Sequence, residues 1–202
     1  VGLSIKEIKI VINSLVFFTL AILIVNGQDF VLNNVLSPKQ KQRVETLINP
    51  SSDPLGSGWN ITQSKIAIGS GGFFGKGFLN GTQTGLNFVP IQSTDFIFSV
   101  IGEEFGYLGS MIFIILYLIF LYRILILSEY QKDKFARVFG YSTFSIFLFH
   151  FTVNVSMTLG LFPVIGIPLS FISYGGSSLL SFSLLLFVFL KLDSVKPSIL
   201  AR

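Results

Sequence analysis

The sequence predicts an all-α integral membrane protein with about four transmembrane helices, a long structured extracytoplasmic loop, and a last helix whose start is broken by glycine and proline. Hydrophobic residues make up 51% of the 202 residues and charged residues only 12%, whereas a soluble domain is about one quarter charged. Four segments are apolar enough to cross a bilayer, which takes about 20 helical residues. The first two enclose a long polar stretch that is dense in glycine.

The four apolar segments are predicted as transmembrane helices at about residues 8–25, 107–127, 138–162 and 177–192. If every segment spans, the basic residues outside the large loop all fall on one side of the membrane; they are Lys6, Lys9, Arg123, Lys132, Lys134, Arg137, Lys191, Lys196 and Arg202. Cytoplasmic loops carry an excess of Lys and Arg, so both termini are predicted to be cytoplasmic. The loop at about 27–106 then lies on the outer face, and residues 1–202 form a single polytopic membrane domain.

Composition excludes several classes of site. The chain has no cysteine and a single histidine, His150, so disulfides, thiolate metal sites, cysteine nucleophiles and multi-histidine metal centres are excluded. In a membrane protein, a net charge of +4 and a pI of about 9.4 primarily indicate basic cytoplasmic loops. They predict no nucleic-acid partner, and membrane lipid is the expected surrounding.

The large loop carries dense local signals for ordered structure. Residues 49–58 are rich in Pro, Ser, Asp and Gly, which is typical of turns, and residues 63–68 suit a short helix or strand. Five glycines between Gly69 and Gly77 allow positive φ angles and close backbone approach to a ligand. The pair Asn80-Gly81 predicts a type I′ hairpin turn. A compact loop is therefore favoured over a flexible linker.

The run GSGGFFGKG invites comparison with known phosphate-binding motifs. A Walker A loop requires glycine where Ser70 stands and Ser or Thr where Gly77 stands. A dinucleotide fingerprint that starts at Gly69 requires glycine where Phe74 stands. Both motifs fail, and nucleotide binding is excluded.

A weaker phosphate signal survives these tests. Exposed glycine amides with Arg43, Lys65 and Lys76 nearby can hold a phosphate or pyrophosphate. The alternative is a turn-rich loop with solvated lysines. Spacing alone favours the alternative without excluding the ligand site.

Asp95 follows Pro90 and opens the apolar run that begins at Phe96, so it lies at a predicted helix start near the membrane surface. Position alone favours a capping role, because the helix dipole stabilises a carboxylate there. Glu103 and Glu104 offer a second carboxylate. In a continuous helix, however, the rise from Asp95 to Glu103 is about 12 Å, beyond the roughly 5 to 9.5 Å of glycosidase pairs. A two-carboxylate hydrolase is disfavoured, and a mechanism with one general base stays open.

The segment PLSFISYGGSS interrupts the apolar pattern before the last helix. Pro168, Gly175 and Gly176 break the helix, and non-helical backbone at membrane depth must be buried in protein or line a cavity. A helix start that faces a cavity favours an anionic lipid headgroup, and simple loop packing is the alternative. On the third helix, His150 and Asn154 lie four residues apart, where interhelical hydrogen bonding is a better interpretation than catalysis.

Four motifs carry a resemblance to a known family: QSKIAIGSGG, GKGFLNGTQT, STDFIFSVIGEE and PLSFISYGGSS. With them the chain resembles the SEDS family of RodA, FtsW and SpoVE proteins, and it is most similar to the RodA branch. The resemblance covers nearly the whole chain. Family members have more helices than this chain, so the resemblance implies that residues 1–202 are the C-terminal half of the family fold in a bacterial inner membrane.

The resemblance implies a peptidoglycan glycosyltransferase that polymerises lipid II into a growing glycan strand during cell elongation, with a class B penicillin-binding protein as partner. The family's essential acidic residue lies in a Thr-Asp-Phe motif, which gives Asp95 the role of general base. Either a divalent cation, Mg²⁺ or Mn²⁺, with Asp95 as a candidate ligand, or basic loop residues would stabilise the leaving pyrophosphate. The candidate substrate-binding residues are Arg43, Gln63, Ser64, Lys65, Gly71, Gly72, Lys76, Gln83 and Thr94.

The chain departs from the family pattern beside Asp95. The family usually has Pro-Glu-x-His-Thr-Asp, whereas this chain has Ile91 in place of Glu and Ser93 in place of His. Two other functions therefore stay open. One is a transporter that flips lipid-linked precursors, which the broken segment suggests. The other is a non-catalytic truncated scaffold that only binds the penicillin-binding protein.

Overall fold

The computed structural model of the protein describes residues 36–194. Every regular element in that range is helical, which confirms the predicted all-α fold class. The described residues fall into two compact units that divide between Glu45 and Thr46. The predicted transmembrane segment at 8–25 lies outside the described residues.

The described part of the first unit holds most of helix α1, Pro38–Ile48. Its start is a capping box, in which the Ser37 N–H donates to Gln40 Oε1 over 2.9 Å and the Gln40 N–H donates to Ser37 Oγ over 3.4 Å. This reciprocal pair satisfies amides that a helix start leaves without a carbonyl partner. Pro38 at the first helical position has no N–H to satisfy.

The second unit begins with the predicted turn region, which forms a short 3₁₀ turn, Pro50–Ser52, followed by helix α2, Ser57–Ser70. The Asp53 carboxylate accepts hydrogen bonds from the Ser57 N–H over 2.9 Å and from Ser57 Oγ over 3.1 Å. A carboxylate at this position stabilises a helix start. The predicted short helix or strand at 63–68 is therefore the middle of a longer helix.

A loop over residues 71–81 leads into a one-turn helix α3, Thr82–Gly85. The predicted hairpin at Asn80-Gly81 is wrong, because no strand flanks the pair in the described chain and Gly81 has a φ of −61°. A type I′ turn needs positive φ at both central residues. Gly81 instead stands directly before the one-turn helix.

Helix α4, Ile97–Glu129, contains the predicted transmembrane segment 107–127 and starts earlier, inside the predicted loop. Gly106 interrupts the helix with φ 67° and ψ −162°. Residues 97–105 therefore form a short arm before the kink, and residues 107–129 form the long apolar arm. Glycine is needed here because residues with side chains rarely adopt this conformation.

Two further long helices follow, α5, Lys134–Thr158, and α6, Gly176–Ser194. Together with α4 they are the three described helices that are long and apolar enough to cross a membrane. Helix α5 ends before the predicted position 162, because Gly160 leaves the helical region with a φ of 68°. Residues 159–175 are non-helical, which confirms the predicted break before the last helix.

Aromatic side chains fill the interface between these three helices. Tyr117 of α4 stacks on Phe151 of α5 with ring centroids 4.4 Å apart, and Phe147 of α5 packs 5.7 Å from Phe182 of α6. Lipid tails are as apolar as these side chains, so helix association in a membrane depends on close packing. Ring pairs in these geometries supply that packing.

Candidate active site

The Thr94-Asp95-Phe96 motif forms the last turn before α4. The Ile91 carbonyl accepts the N–H groups of Thr94 and Asp95, each over 3.2 Å. Phe96 is fully buried beside Ala67 of α2 and anchors the turn. Phe96, not Asp95, occupies the cap position of α4, so the interpretation of Asp95 as a helix cap is wrong.

Three successive carbonyl groups, from Ser93 to Asp95, are held by distant parts of the chain. The bonds run from Tyr174 N to Ser93 O over 2.8 Å, from Ser173 Oγ to Thr94 O over 2.5 Å, and from Asn154 Nδ2 to Asp95 O over 2.8 Å. Two donors belong to the broken segment 159–175 and the third to α5. They lie between 59 and 81 residues further along the chain than their acceptors, so the backbone around Asp95 is fixed by tertiary structure.

The same face of α5 also holds the broken segment. Asn154 Nδ2 donates to Ile167 O over 2.8 Å, and His150 Nδ1 lies 3.1 Å from Pro168 O. His150 and Asn154 do make hydrogen bonds, but the prediction that these bonds are interhelical is wrong. Their partners are backbone carbonyls of the broken segment and of the Asp95 turn, and not side chains of another helix.

The Asp95 carboxylate faces Gly166 of the broken segment. A Cβ at Gly166 would lie 3.2 Å from Asp95 Oδ2, and Gly166 has a φ of +81°. Burial raises the pKa of the Asp95 carboxyl above its ordinary value, and a hydrogen bond with the Thr94 side chain opposes part of the rise. In the described part of the chain this carboxylate has no ion-pair partner. The site therefore holds a half-buried carboxylate that is more basic than an exposed one.

The side chain of Glu103, the second predicted carboxylate, lies in the protein interior. Its side chain is fully buried, and Lys76 Nζ lies 2.6 Å from Glu103 Oε1. The remaining donors to the carboxylate are the Gln83 N–H at 2.8 Å, the Thr84 N–H at 2.9 Å, Thr82 Oγ1 at 3.3 Å and Ser70 Oγ at 3.4 Å. This carboxylate binds the start of α3 and the glycine-rich loop to α4. With five donors around it, this carboxylate is a structural group.

The glycine-rich loop satisfies the backbone groups that the kink at Gly106 sets free. The freed carbonyls of Glu103 and Glu104 accept hydrogen bonds from Lys76 N and Gly77 N. The freed amides of Tyr107 and Leu108 donate to Gly72 O and Phe73 O. The contact is close, since a Cβ at Gly75 would lie 2.1 Å from Glu104 O. The glycines therefore allow the loop backbone to lie directly on the kinked helix.

The predicted phosphate cradle made of glycine amides is wrong. The N–H groups of Gly71, Gly72, Gly75 and Gly77 all donate to protein carbonyls, so they are not available to a phosphate. The Gly71 position is also packed, because a Cβ there would lie 2.1 Å from Gly102 O. Lys76 is paired with a buried carboxylate, and its predicted contact with substrate stays a prediction.

Three more predicted substrate residues lie on α2. Ser64 is fully buried and donates from Oγ to Thr158 O over 2.8 Å, and Gln63 is buried beside it in sequence. Lys65 is exposed, and a Cβ at Gly160 would lie 2.6 Å from its Nζ. The Lys65 ammonium thus lies at the C-terminal end of α5, where the helix dipole favours a cation.

The predicted substrate residues therefore do not converge on one cradle. Thr94 lies beside Asp95, and Gly71, Gly72, Lys76 and Gln83 lie around the kink of α4 and its bound carboxylate. Arg43 lies on α1 in the first unit, and its predicted contact with substrate stays a prediction. Asn154, Ser173 and Gly166 were not predicted to surround Asp95, because no local sequence signal joins positions so far apart.

The described residues contain no group of three His, Cys, Asp or Glu side chains close enough to hold a metal ion together. They therefore do not fit a cation bound by protein ligands alone. Mg²⁺ is often held by one or two carboxylates together with substrate phosphates. The expected Mg²⁺ or Mn²⁺, with Asp95 as a ligand, therefore stays a prediction.

The chain matches the family model of the FtsW, RodA and SpoVE proteins, described as cell cycle proteins, over residues 1–196. The chain belongs to the FtsW/RodA/SpoVE family. In this family member, the two positions that depart from the usual pattern lie in the turn that leads to Asp95. Ile91 is 58% exposed and has a φ of 56°, a strained conformation for a β-branched residue, and Ser93 offers its carbonyl to Tyr174 N.

Curated relatives of this FtsW/RodA/SpoVE chain carry glycosyltransferase names. The peptidoglycan glycosyltransferase RodA of Treponema pallidum is 50% identical over 72% of this chain and 34% of the relative. The peptidoglycan glycosyltransferase MrdB of Escherichia coli K12 is 48% identical over 70% of this chain and 38% of the relative. The probable peptidoglycan glycosyltransferase FtsW of Buchnera aphidicola from Acyrthosiphon pisum is 36% identical over 89% of this chain and 49% of the relative.

A solved structure of a peptidoglycan synthase complex, concerned with the coordination of polymerization and crosslinking, contains a chain of similar fold. The TM-score is 0.67 at 30% identity, and the match covers 89% of this chain and 48% of that one. The chain thus spans between about a third and a half of the length of the proteins it matches. Its fold and family follow from these matches.

Proposed function

We propose that this chain forms the catalytic part of a peptidoglycan glycosyltransferase that polymerises lipid II during cell elongation, with Asp95 as general base. The observation that carries the proposal is the half-buried Asp95 carboxylate, which lacks an ion-pair partner in the described chain while three bonds hold the adjacent backbone. The relatives' glycosyltransferase names support the reaction class. The resemblance of the four sequence motifs to the RodA branch supports a role in elongation.

In the proposed reaction, Asp95 removes the proton from the C4 hydroxyl of the acceptor sugar. The hydroxyl oxygen forms a bond to the anomeric carbon of the donor sugar, and the bond from that carbon to the lipid pyrophosphate breaks. Undecaprenyl pyrophosphate leaves with the bonding electron pair, and the proton stays on Asp95 until solvent removes it. The raised pKa suits this role, because a more basic carboxylate accepts a proton more readily.

The fixed backbone around Asp95 supports catalysis by position. Reacting groups gain most from an enzyme when they are held within about 3–3.5 Å in the right orientation. The motif is tied to the broken segment, whose non-helical backbone must be covered by protein or line a cavity at membrane depth. That arrangement suits a base at the edge of a cavity that admits a lipid-linked sugar.

The proposed enzyme works on the outer face of the bacterial inner membrane, with a class B penicillin-binding protein as partner. The distribution of Lys and Arg supports the outer location of the loop. The similar chain in a peptidoglycan synthase complex supports the partner. A divalent cation carried by the pyrophosphate, with Asp95 as its protein ligand, is the proposed cofactor, and no step above depends on it.

A second candidate function is transport of the lipid-linked precursor across the bilayer. Residues 159–175 favour it, because broken membrane helices commonly line the substrate path of transporters. A transporter does not require a general base at Asp95. Loss of the Asp95 carboxylate is therefore expected to stop polymerisation but not transport.

The test measures polymer formation and transbilayer movement in the same liposomes. The protein, produced from its natural reading frame together with a class B penicillin-binding protein, is supplied with fluorescent lipid II. Asp95→Asn is expected to abolish polymer, whereas the matched variant Asp53→Asn, whose amide oxygen can still accept the Ser57 N–H, is expected to retain it. If lipid II still moves across the bilayer with Asp95→Asn, and the unaltered protein makes no polymer, the transporter is favoured. Neither polymer nor movement in the unaltered protein would favour a non-catalytic scaffold.

A further inference from the structure

We propose that Asn154 is a positioning residue for the transfer step, because one side-chain amide ties the backbone of Asp95 to the backbone of Ile167. This inference rests on the proposed function, in which Asp95 is the base. Asn154 itself does not touch the reacting atoms. It sets where the carboxylate lies relative to the broken segment.

The geometry of the Asn154 side chain leaves little freedom. Its Nδ2 donates to Asp95 O and to Ile167 O, each over 2.8 Å, and the side chain is fully buried. Both partners are carbonyl oxygens, so a flipped amide would place its own oxygen against two acceptors. The orientation of the amide is therefore determined, and both of its N–H groups are engaged.

The two hydrogen bonds of the Asn154 amide act on the part of the site that matters for proton transfer. Ile167 directly follows Gly166, which the Asp95 carboxylate faces, with 3.2 Å between Asp95 Oδ2 and a Cβ placed on that glycine. Because the Asn154 amide binds both Asp95 O and Ile167 O, it sets the distance between the carboxylate and the broken segment. A displacement of about 1 Å at a catalytic group can lower the rate by about 100-fold.

The remaining bonds make this role separable from folding. Without the Asn154 amide, Ser93 O keeps its bond to Tyr174 N and Thr94 O keeps its bond to Ser173 Oγ. Phe96 stays buried on the other side of Asp95. Loss of Asn154 thus releases the carbonyl of the base itself and leaves its neighbours in place.

The test is a kinetic comparison of Asn154→Leu with Thr143→Val in the protein produced from its natural reading frame. Thr143 is also buried on α5, and its hydroxyl bonds only Phe139 O of the same helix among the described residues, so Thr143→Val controls for a lost polar group on that helix. Asn154→Leu is expected to lower kcat for lipid II polymerisation at least about tenfold with KM changed less than about twofold. Thr143→Val is expected to leave both unchanged.

Thermal unfolding in detergent separates positioning from misfolding. Asn154→Leu is expected to unfold cooperatively above the assay temperature, although below the unfolding temperature of Thr143→Val, because two carbonyls lose a donor. If Asn154→Leu does not fold, Asn154→Asp replaces it, because aspartate has the same shape but its carboxylate donates no hydrogen bond. A kcat within threefold of the unaltered protein in whichever variant folds overturns the positioning role. If Asp95→Asn is fully active, the proposed function fails instead, so the two failures are distinct.

Discussion

Replacing Glu103 by glutamine tests the claim that its carboxylate is a structural centre that joins the glycine-rich loop to α4. Glutamine keeps the size and shape but presents one oxygen and one NH₂ group. If its oxygen takes the Oε1 position, which meets Lys76 Nζ at 2.6 Å and the Gln83 N–H at 2.8 Å, its NH₂ group faces the Thr84 N–H at 2.9 Å. Two donors then oppose each other, and the Lys76 ammonium loses its counter-charge.

The size of the effect follows from burial. The Glu103 side chain is fully buried, and that of Lys76 is 25% exposed. Removal of one partner from a buried pair destabilises a protein by about 3–5 kcal/mol. Because Lys76 can turn partly towards water, the lower end applies, and the expected loss for Glu103→Gln is about 3 kcal/mol.

The assay is equilibrium unfolding in mixed detergent micelles, followed by circular dichroism. Glu104→Gln is the matched control, because the neighbouring carboxylate is also buried but makes no hydrogen bond or ion pair in the described chain, so loss of its charge is expected not to destabilise the protein. Lys76→Met should also destabilise, and the double variant should lose less than the sum of the two single losses. A Glu103→Gln protein as stable as the Glu104→Gln protein would refute the structural role.

Two other predictions concern the glycine-rich loop and the base. Gly75→Ala should lower the free energy of unfolding by about 3 kcal/mol, because the added Cβ lies 2.1 Å from Glu104 O and φ is +81°. Gly69→Ala should raise the free energy of unfolding by about 0.5–1 kcal/mol, because a Cβ added to this α2 residue has no neighbouring atom within 4 Å. Equal effects of the two substitutions in the same unfolding assay would contradict the packing described. Because only ionised Asp95 accepts the proton and burial raises its pKa, kcat/KM for lipid II should fall with decreasing pH at a higher pH than for an ordinary aspartate. A profile that stays flat down to about pH 4 would exclude this base.

The helical class and the apolar spans were predictable because hydrophobic length is a local property of the sequence. The span at 107–127 lies within α4, and the break before α6 falls where Pro168 and Gly175 interrupt the pattern. The start of α4 at Ile97 agrees with the helix start predicted beside Asp95, but the transmembrane segment was placed only from 107, because Glu103 before the kink reads as a solvated residue. Only the tertiary partners of that carboxylate make it a core group.

The glycine run shows why the candidate site was only partly predictable. Glycine permits close approach, but the sequence does not say what approaches, and the partner is the kinked backbone of α4 instead of a phosphate. Asp95 could be singled out from its motif. Its surroundings could not, because Asn154 and Ser173 reach its turn from 59 and 79 residues away, and such pairings depend on the packed fold.

The most direct test of the account is the initial rate of glycan polymer formation from lipid II by Asp95→Asn, measured against Asp53→Asn at equal protein level. Both changes replace one loop carboxylate by its amide, but only Asp95 is the proposed base. Loss of a general base lowers a rate by about 10²–10⁴-fold, so the account predicts a rate for Asp95→Asn at least about 100-fold below that of Asp53→Asn. Equal rates for the two variants would contradict it.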